Sequence, residues 1–202
     1  MNIGVLASTK ATDLQAVMDA IESKELNVEI SVVVSNKEDA YALERAKNHN
    51  IEAVFIDSKG KEREDFDREV NGVLEKHDVD LILAIGYMRI LSGWFVNKWK
   101  NKIMNIHPSL LPAFAGGMDK DVHAEVLKAK VKETGCTLHF VAEDVDAGPI
   151  ILQKKVSVDD GETIESLKAK VQEAEQEIIV KALKLYSEGK IKVENGKVTI
   201  SE

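Results

Sequence analysis

The sequence predicts an α/β fold with a Rossmann-like, open, twisted and mostly parallel sheet that is covered by helices on both faces. Short apolar runs of strand length alternate with segments of helical periodicity through the first 107 residues. The runs are apolar at consecutive positions, which is typical of strands buried on both faces. The last third has no helix between its first two strand-like segments, which predicts an antiparallel C-terminal portion, and a long helix follows.

The first half of the chain alternates strictly between the two kinds of segment. Strands are predicted at residues 3–7, 28–35, 52–56, 81–85 and 103–107, with helices from residue 12, at 40–48, 63–77 and 91–99 between them. Thr12 and Gln15 match a capping box, which predicts that the first helix has Thr12 as its N-cap. Pro108 cannot donate to a sheet ladder, so the fifth strand should end at His107.

The last third predicts two adjacent strands, a helix and a hairpin. Strands at 134–142 and 150–158 are joined by a loop rich in turn residues, and a long amphipathic helix spans 163–188. A hairpin at 191–200 should turn at Asn195-Gly196. We expect a single domain over residues 1–202, with a nucleotide- or phosphate-binding-like half at 1–107 and a catalytic-loop half at 108–202.

Composition indicates a soluble globular protein and excludes several partner classes. The chain is 44% hydrophobic with a net charge of −8, which argues against nonspecific binding to nucleic acid or membrane surfaces. Cys136 is the only cysteine, so no intrachain disulfide can form, and we expect it to be a buried strand residue. No apolar run approaches the ~18 residues of a membrane span, and no signal peptide is evident. A cytoplasmic location is therefore expected, as a monomer or homodimer.

Asn105 and His107 are the strongest candidates for chemistry. They lie two residues apart on a predicted strand, so both side chains should point to the same face near the strand's C-terminal end. Open α/β sheets bind ligands at that end. An amide donor beside an imidazole suits a site that stabilises an oxyanion and moves a proton. An acid to stabilise the imidazolium is still needed, and Asp144 and Asp146 are both candidates.

Other site classes find little support. The five histidines have no short ligand-like spacing, so no metal site is expected. A Gly-x-Ser-x-Gly nucleophile elbow is absent, and the first strand–helix turn lacks Gly-x-Gly-x-x-Gly, which argues against a generic dinucleotide-binding domain. That turn can still bind an anion through backbone N–H groups, and Lys10 could add a positive charge.

Several motifs, in order along the chain, resemble the folate-dependent formyltransferases. The central motif is Asn105-Ile106-His107-Pro108-Ser109-Leu110-Leu111-Pro112, followed about forty residues later by Asp146-Ala147-Gly148-Pro149. Supporting segments are Val34-Ser35-Asn36-Lys37, Gly86-Tyr87-Met88-Arg89-Ile90-Leu91-Ser92, His139-Phe140-Val141 and residues 171–175. Pro108 and Met88-Arg89-Ile90 favour the branch that formylates glycinamide ribonucleotide over the formyltetrahydrofolate hydrolase branch.

The resemblance implies a role for each matched residue. Asn105, His107 and Asp146 would be catalytic, and 10-formyltetrahydrofolate would be the co-substrate, with no metal. Folate-binding positions would be Arg63, Met88, Arg89, Ile90, Leu91, Val141, Ala142, Glu143, Asp144 and Val145. The small-molecule acceptor, glycinamide ribonucleotide, would contact Lys10, Ala11, Thr12, Asp13, Pro108, Gln172 and Glu175.

Two segments depart from the family pattern. The phosphate loop of the family usually reads Ser-Gly-x-Gly-Ser-Asn, whereas this chain has Ser8-Thr9-Lys10-Ala11-Thr12-Asp13. Both glycines are lost, and a carboxylate stands where an amide could donate to a phosphate. The loop from Ala113 to His123 is slightly longer than the common pattern. Formyl transfer to a different amine, and an inactive folate-binding protein, are therefore the alternatives.

Overall fold

The computed structural model describes residues 1–116 and 121–201. A seven-stranded sheet contains β1 (Asn2–Leu6), β2 (Glu29–Ser35), β3 (Glu52–Phe55), β4 (Leu81–Ala84), β5 (Ile103–His107), β6 (Glu133–Phe140) and β7 (Ile150–Ser157). Six helices accompany it in the described residues: α1 (Thr12–Glu22), α2 (Tyr41–Asn48), α3 (Arg63–Lys76), α4 (Gly93–Lys98), α5 (Val122–Ala129) and α6 (Ile164–Ser187). A separate hairpin pairs β8 (Ile191–Glu194) with β9 (Lys197–Ile200).

The strand order β3-β2-β1-β4-β5-β6-β7 confirms the predicted fold class. Strands β1 to β5 pair in parallel, whereas β6 is antiparallel to both β5 and β7. The chain moves outward from β1 in one direction and then from β4 in the other. The crevice beyond the carboxyl ends of β1 and β4 is therefore the topological switch point, where open α/β sheets bind ligands.

Two apolar layers cover the faces of the sheet. One layer packs α1, α2 and α6 against the sheet through side chains such as Leu14, Ala42 and Val171. The other packs α3 and α4 through Phe66 and Phe95. The long final helix and the antiparallel portion agree with the sequence analysis, and Cys136 is buried on β6 as expected. None of the helices in the described ranges is long and apolar enough to cross a membrane.

Two local expectations were wrong or incomplete. Thr12 is not an N-cap: α1 begins after Ala11, which has a left-handed backbone (φ 45°), and the α1 N-cap forms no side-chain hydrogen bond. The Thr12 hydroxyl instead accepts a hydrogen bond from the Gln172 side chain on α6. Helix α5 was not predicted; it is capped by Asp121, whose carboxylate accepts from the Ala124 N–H at 3.1 Å. Residues 117–120 of the long loop lie outside the described residues.

Gly148 allows a close backbone approach near the end of the β6–β7 loop. A Cβ at this position would lie 1.7 Å from the Phe140 carbonyl oxygen. We expect Gly148→Ala to lower the free energy of unfolding by roughly 2 kcal/mol or more, because backbone must move. As a control, Gly72→Ala on α3, where a Cβ meets nothing within 4 Å, should raise it by about 0.5–1 kcal/mol. Denaturant unfolding measures both, and an unchanged Gly148→Ala midpoint would contradict the packing argument.

Candidate active site

Strand β5 brings Asn105 and His107 to the expected strand end. Ile103 and Met104 are buried between neighbouring strands, which fixes the register of the residues that follow. The strand ends at His107, as Pro108 predicts. Pairing with antiparallel β6 places Asn105 directly opposite His139.

Asn105 and His139 form a hydrogen bond inside the sheet edge. The Asn105 Nδ2 lies 3.1 Å from His139 Nε2, and His139 Nδ1 lies 2.9 Å from the Phe140 carbonyl oxygen. A neutral His139 satisfies both contacts, because Nδ1–H donates to the carbonyl and Nε2 accepts from the amide. Burial lowers the pKa of His139, which is 2% exposed, and so favours this neutral form. The second hydrogen of the Asn105 amide remains available for another acceptor.

His107 has an oxygen atom beside each ring nitrogen. Its Nδ1 lies 3.4 Å from Asp146 Oδ2, and its Nε2 lies 3.1 Å from the Phe114 carbonyl oxygen. An imidazolium can donate to both oxygens at once. The Gly116 N–H donates to the same Asp146 oxygen at 3.0 Å. The other oxygen of Asp146 is 3.8 Å from His139 Nε2.

Asp146, rather than Asp144, is the acid that meets the imidazole. Its backbone is left-handed (φ 57°), a conformation that Asp tolerates better than most residues. Asp144 is exposed, and its backbone carbonyl accepts from the Ala147 N–H. The arrangement therefore combines an oriented amide donor, an imidazole and a carboxylate. These groups can stabilise a tetrahedral oxyanion and move a proton.

A first cavity opens beside Asn105 and Asp146. It is lined by most of the residues that the sequence assigned to folate: Arg89, Ile90, Leu91, Val141, Ala142, Glu143 and Val145. The remaining three, Arg63, Met88 and Asp144, do not line it. Val145 is 49% exposed and Met88, just before Arg89, is 42% exposed, so the rim offers unusual apolar surface.

The segment from Met88 to Ser92 is held from behind by α3. Buried Asp67 accepts a hydrogen bond from the Ser92 N–H at 2.6 Å, while the Arg89 guanidinium stacks on the Phe66 ring at 4.2 Å. Burial raises the pKa of Asp67, and the nearby charges of Arg89 and Arg63 oppose that rise. Arg63 thus lies near this segment without lining the cavity.

A second cavity of about 520 Å³ lies at the other side of the strand end. Its lining includes all seven residues assigned to the acceptor: Lys10, Ala11, Thr12, Asp13, Pro108, Gln172 and Glu175. His123 and Lys168 also line it. Within residues 1–116 and 121–201, no cluster of three or more His, Cys, Asp or Glu side chains could hold a metal ion.

Ser8 connects the first loop to the segment beside the first cavity. Its hydroxyl accepts from the Met88 N–H at 2.8 Å and donates to Asn36 Oδ1 at 2.6 Å. Sequence reasoning assigned no role to Ser8 or to His139. The His139-Phe140-Val141 motif was a signal for His139, but its role depends on the register between β5 and β6.

The fold and the side chains at the β5 end define an enzyme of acyl-transfer type, with two ligand cavities beside one strand end. The formyl transferase family model matches residues 1–183, and the chain belongs to that family.

Curated relatives and solved structures are similar to this chain over nearly its whole length. The human trifunctional purine biosynthetic protein adenosine-3 is 43% identical over 97% of this chain. The chain spans only 19% of that protein's length. The phosphoribosylglycinamide formyltransferase of Haemophilus influenzae is 39% identical, with 96% of this chain and 90% of the relative covered. The crystal structure of glycinamide ribonucleotide transformylase 1 from Symbiobacterium toebii is 39% identical, with a TM-score of 0.95 and coverage of 100% and 94%.

The His139–Asn105 hydrogen bond predicts a positioning role for His139. We expect His139→Ala to lower the rate of formyl transfer about tenfold with little change in KM, because the Asn105 amide loses its orientation. His139→Gln should recover part of the rate, since its amide oxygen can accept from Asn105. His77→Gln, outside both cavities, is the control. Steady-state kinetics with circular dichroism would separate this effect from unfolding, and a normal rate for folded His139→Ala would contradict it.

Proposed function

We propose that this chain transfers the formyl group of 10-formyltetrahydrofolate to the amine of glycinamide ribonucleotide, a step of de novo purine biosynthesis. One observation carries the proposal: a single strand end serves both cavities. Asn105 lines the first cavity, whereas Ile106 and Pro108 line the second. A formyl donor in one cavity and an amine acceptor in the other would meet at this point.

The first cavity suits the reactive end of a folate. A pterin has flat apolar faces and a polar edge, and the cavity combines apolar Ile90, Leu91 and Val141 with the loop residues 142, 143, 145 and 146. Backbone N–H and C=O groups in an irregular loop can read such an edge, because they are not committed to a sheet. The exposed apolar rim would become covered when the ligand binds.

The second cavity suits a phosphorylated acceptor with ribose hydroxyls. The first turn of α1 offers backbone N–H groups, and Lys10 supplies a positive charge. Glu175 and Gln172 from α6 face the same space and offer hydrogen-bonding groups for hydroxyls. The named activities of the relatives from Haemophilus influenzae and Symbiobacterium toebii support this choice of acceptor.

The reaction requires only groups already in place. The amine nitrogen attacks the formyl carbon and forms a C–N bond, while the carbonyl becomes a tetrahedral oxyanion. The free N–H of Asn105 and the imidazolium of His107 donate to that oxyanion. The intermediate collapses as the bond between the formyl carbon and the folate nitrogen breaks. Asp146, through water, moves the proton from the amine to the departing nitrogen.

The contact of His107 with Phe114 has a consequence for this step. The Phe114 carbonyl occupies the Nε2 hydrogen-bonding position. When His107 donates to the oxyanion from Nε2, the substrate oxygen replaces that carbonyl. Asp146 can remain on Nδ1 throughout, which keeps the ring oriented.

Formyl transfer to glycinamide ribonucleotide is the direct test. The purified chain should formylate this acceptor from 10-formyltetrahydrofolate, as measured by absorbance of the released tetrahydrofolate product or by mass spectrometry. His107→Ala and Asn105→Ala should each lower kcat by 10²-fold or more, because each removes an oxyanion donor.

Lys61→Gln, a change at a partly exposed residue that pairs with Glu69 and lines neither cavity, is the control and should leave the rate unchanged. Tight folate binding without turnover of glycinamide ribonucleotide would reject the proposed acceptor and favour a different amine. A rate within about twofold of wild type for His107→Ala would reject the catalytic assignment.

A further inference from the structure

Two buried carboxyl groups face the second cavity from different helices. Asp13 lies in the first turn of α1 and is 6% exposed, and Glu175 lies on α6 and is 7% exposed. Both line the cavity. The hydrogen bond between Thr12 and Gln172, each a near neighbour of one carboxyl group, connects the two helices at this level.

Neither carboxyl group has a cationic partner in the part of the chain that the structure describes. The ion pairs found within 4 Å over residues 1–116 and 121–201 include neither Asp13 nor Glu175. Asp13 Oδ1 is buried without any hydrogen-bond partner. A buried carboxylate without a partner is costly, so the group is expected to take up a proton or to bind a ligand.

The other titratable groups around Asp13 and Glu175 do not supply the missing cationic partner. Lys168 on α6 lowers the pKa of Glu175, but only as its smallest contribution. Lys10 in the preceding loop and His123 of α5 line the same cavity, and burial lowers the pKa of His123 and favours its neutral form. Cys136 of β6 also faces the pair, and burial raises its pKa to about 12, so the thiol stays uncharged.

Burial raises the pKa of both carboxyl groups, and repulsion by Asp13 adds to the rise at Glu175. Burial raises the pKa of Asp13 to about 6. Burial raises the pKa of Glu175 well above its usual range, and the charge of Asp13 raises it further. Two carboxyl groups that interact in this way titrate as a unit and hold one proton across an intermediate pH range.

We propose that Asp13 is a specificity-determining residue of the acceptor cavity. Asp13 shares one proton with Glu175, so that the two carboxyl groups together present a single negative charge to the acceptor. In this state one O–H group of the pair can donate into the cavity, and the pair carries a single negative charge. When the shared proton is lost at higher pH, a second negative charge faces the cavity. The affinity for an anionic acceptor then falls. This inference rests on the proposed function for the identity of that acceptor.

Carboxyl titration without ligand tests the shared proton independently of any substrate. In wild-type protein labelled with ¹³C at side-chain carboxyl groups, one resonance of the pair should titrate well above the range of an ordinary carboxyl group. In Asp13→Asn the Glu175 midpoint should fall by about one pH unit or more, because the repulsive charge is gone. Ordinary midpoints near pH 4 for both groups, or a Glu175 midpoint unmoved by Asp13→Asn, would overturn the proposal.

Acceptor binding tests the consequence. Calorimetry would measure the Kd of glycinamide ribonucleotide, without folate, for wild type and Asp13→Asn between pH 6.5 and 9. The ratio of the two Kd values cancels the titration of the ligand itself. The Kd of wild type divided by the Kd of Asp13→Asn should rise about tenfold as the pH rises, since only wild type gains the second negative charge. A ratio constant within about twofold would overturn the proposal.

A control on the same helix separates this effect from general charge. Asp19 is exposed on α1 and accepts from Gln15, away from the cavity. Asp19→Asn should therefore show the wild-type pH dependence, and loss of that dependence in this variant would count against a specific role for Asp13. A chain that binds as expected but does not formylate the acceptor would contradict only the proposed function.

Discussion

The antiparallel pairing of β6 with β5 is the constraint on which the candidate active site depends. It places His139 opposite Asn105 and so gives the amide a fixed orientation. The β6–β7 loop then leaves the sheet where the Val141 N–H donates to the Ile103 carbonyl. From there it returns over the strand end and brings Asp146 to within 3.4 Å of His107. A parallel strand at this position would need a long crossover and could not deliver the loop in this way.

The two cavities depend on the same strand end but on different surroundings. The first is shaped by irregular backbone, with Asp67 and Ser8 holding the Met88–Ser92 segment from either side. The second lies between helix α1, helix α6 and the segment after β5. The chemical groups of β5 are therefore held between two neighbouring strands, whereas each cavity is lined mainly by elements outside β5. Such a division is what a two-substrate transfer requires, because orientation of both reactants supplies much of the rate.

Sequence alone predicted the sheet, the strand end at His107 and the pairing of chemistry-bearing residues there, because apolar periodicity and Pro108 are local signals. Residue patterns alone left both Asp144 and Asp146 as candidates for the acid, and the resemblance to the family selected Asp146, because only the three-dimensional path of the loop separates the two. His139 received no role, because strand register between distant segments is not encoded in a short window. The capping box at Thr12 failed for a similar reason: a contact with Gln172, 160 residues away, outcompeted the local pattern. Helix α5 has only eight residues, too few for a firm periodicity.

The acidic residues show how a chain of net charge −8 can hold anionic ligands. Asp146 faces the Nδ1 of His107 and receives an N–H from Gly116, so hydrogen-bond donors lie beside its carboxylate. Asp13 and Glu175 have no cationic partner among the ion pairs of the described residues, Asp13 Oδ1 has no hydrogen-bond partner, and burial makes the fully ionised pair unfavourable. Burial therefore favours a shared proton for the Asp13–Glu175 pair, whereas Asp146 has hydrogen-bond donors beside it. Overall charge sets long-range repulsion, whereas the local supply of N–H groups and protons decides which anion can bind.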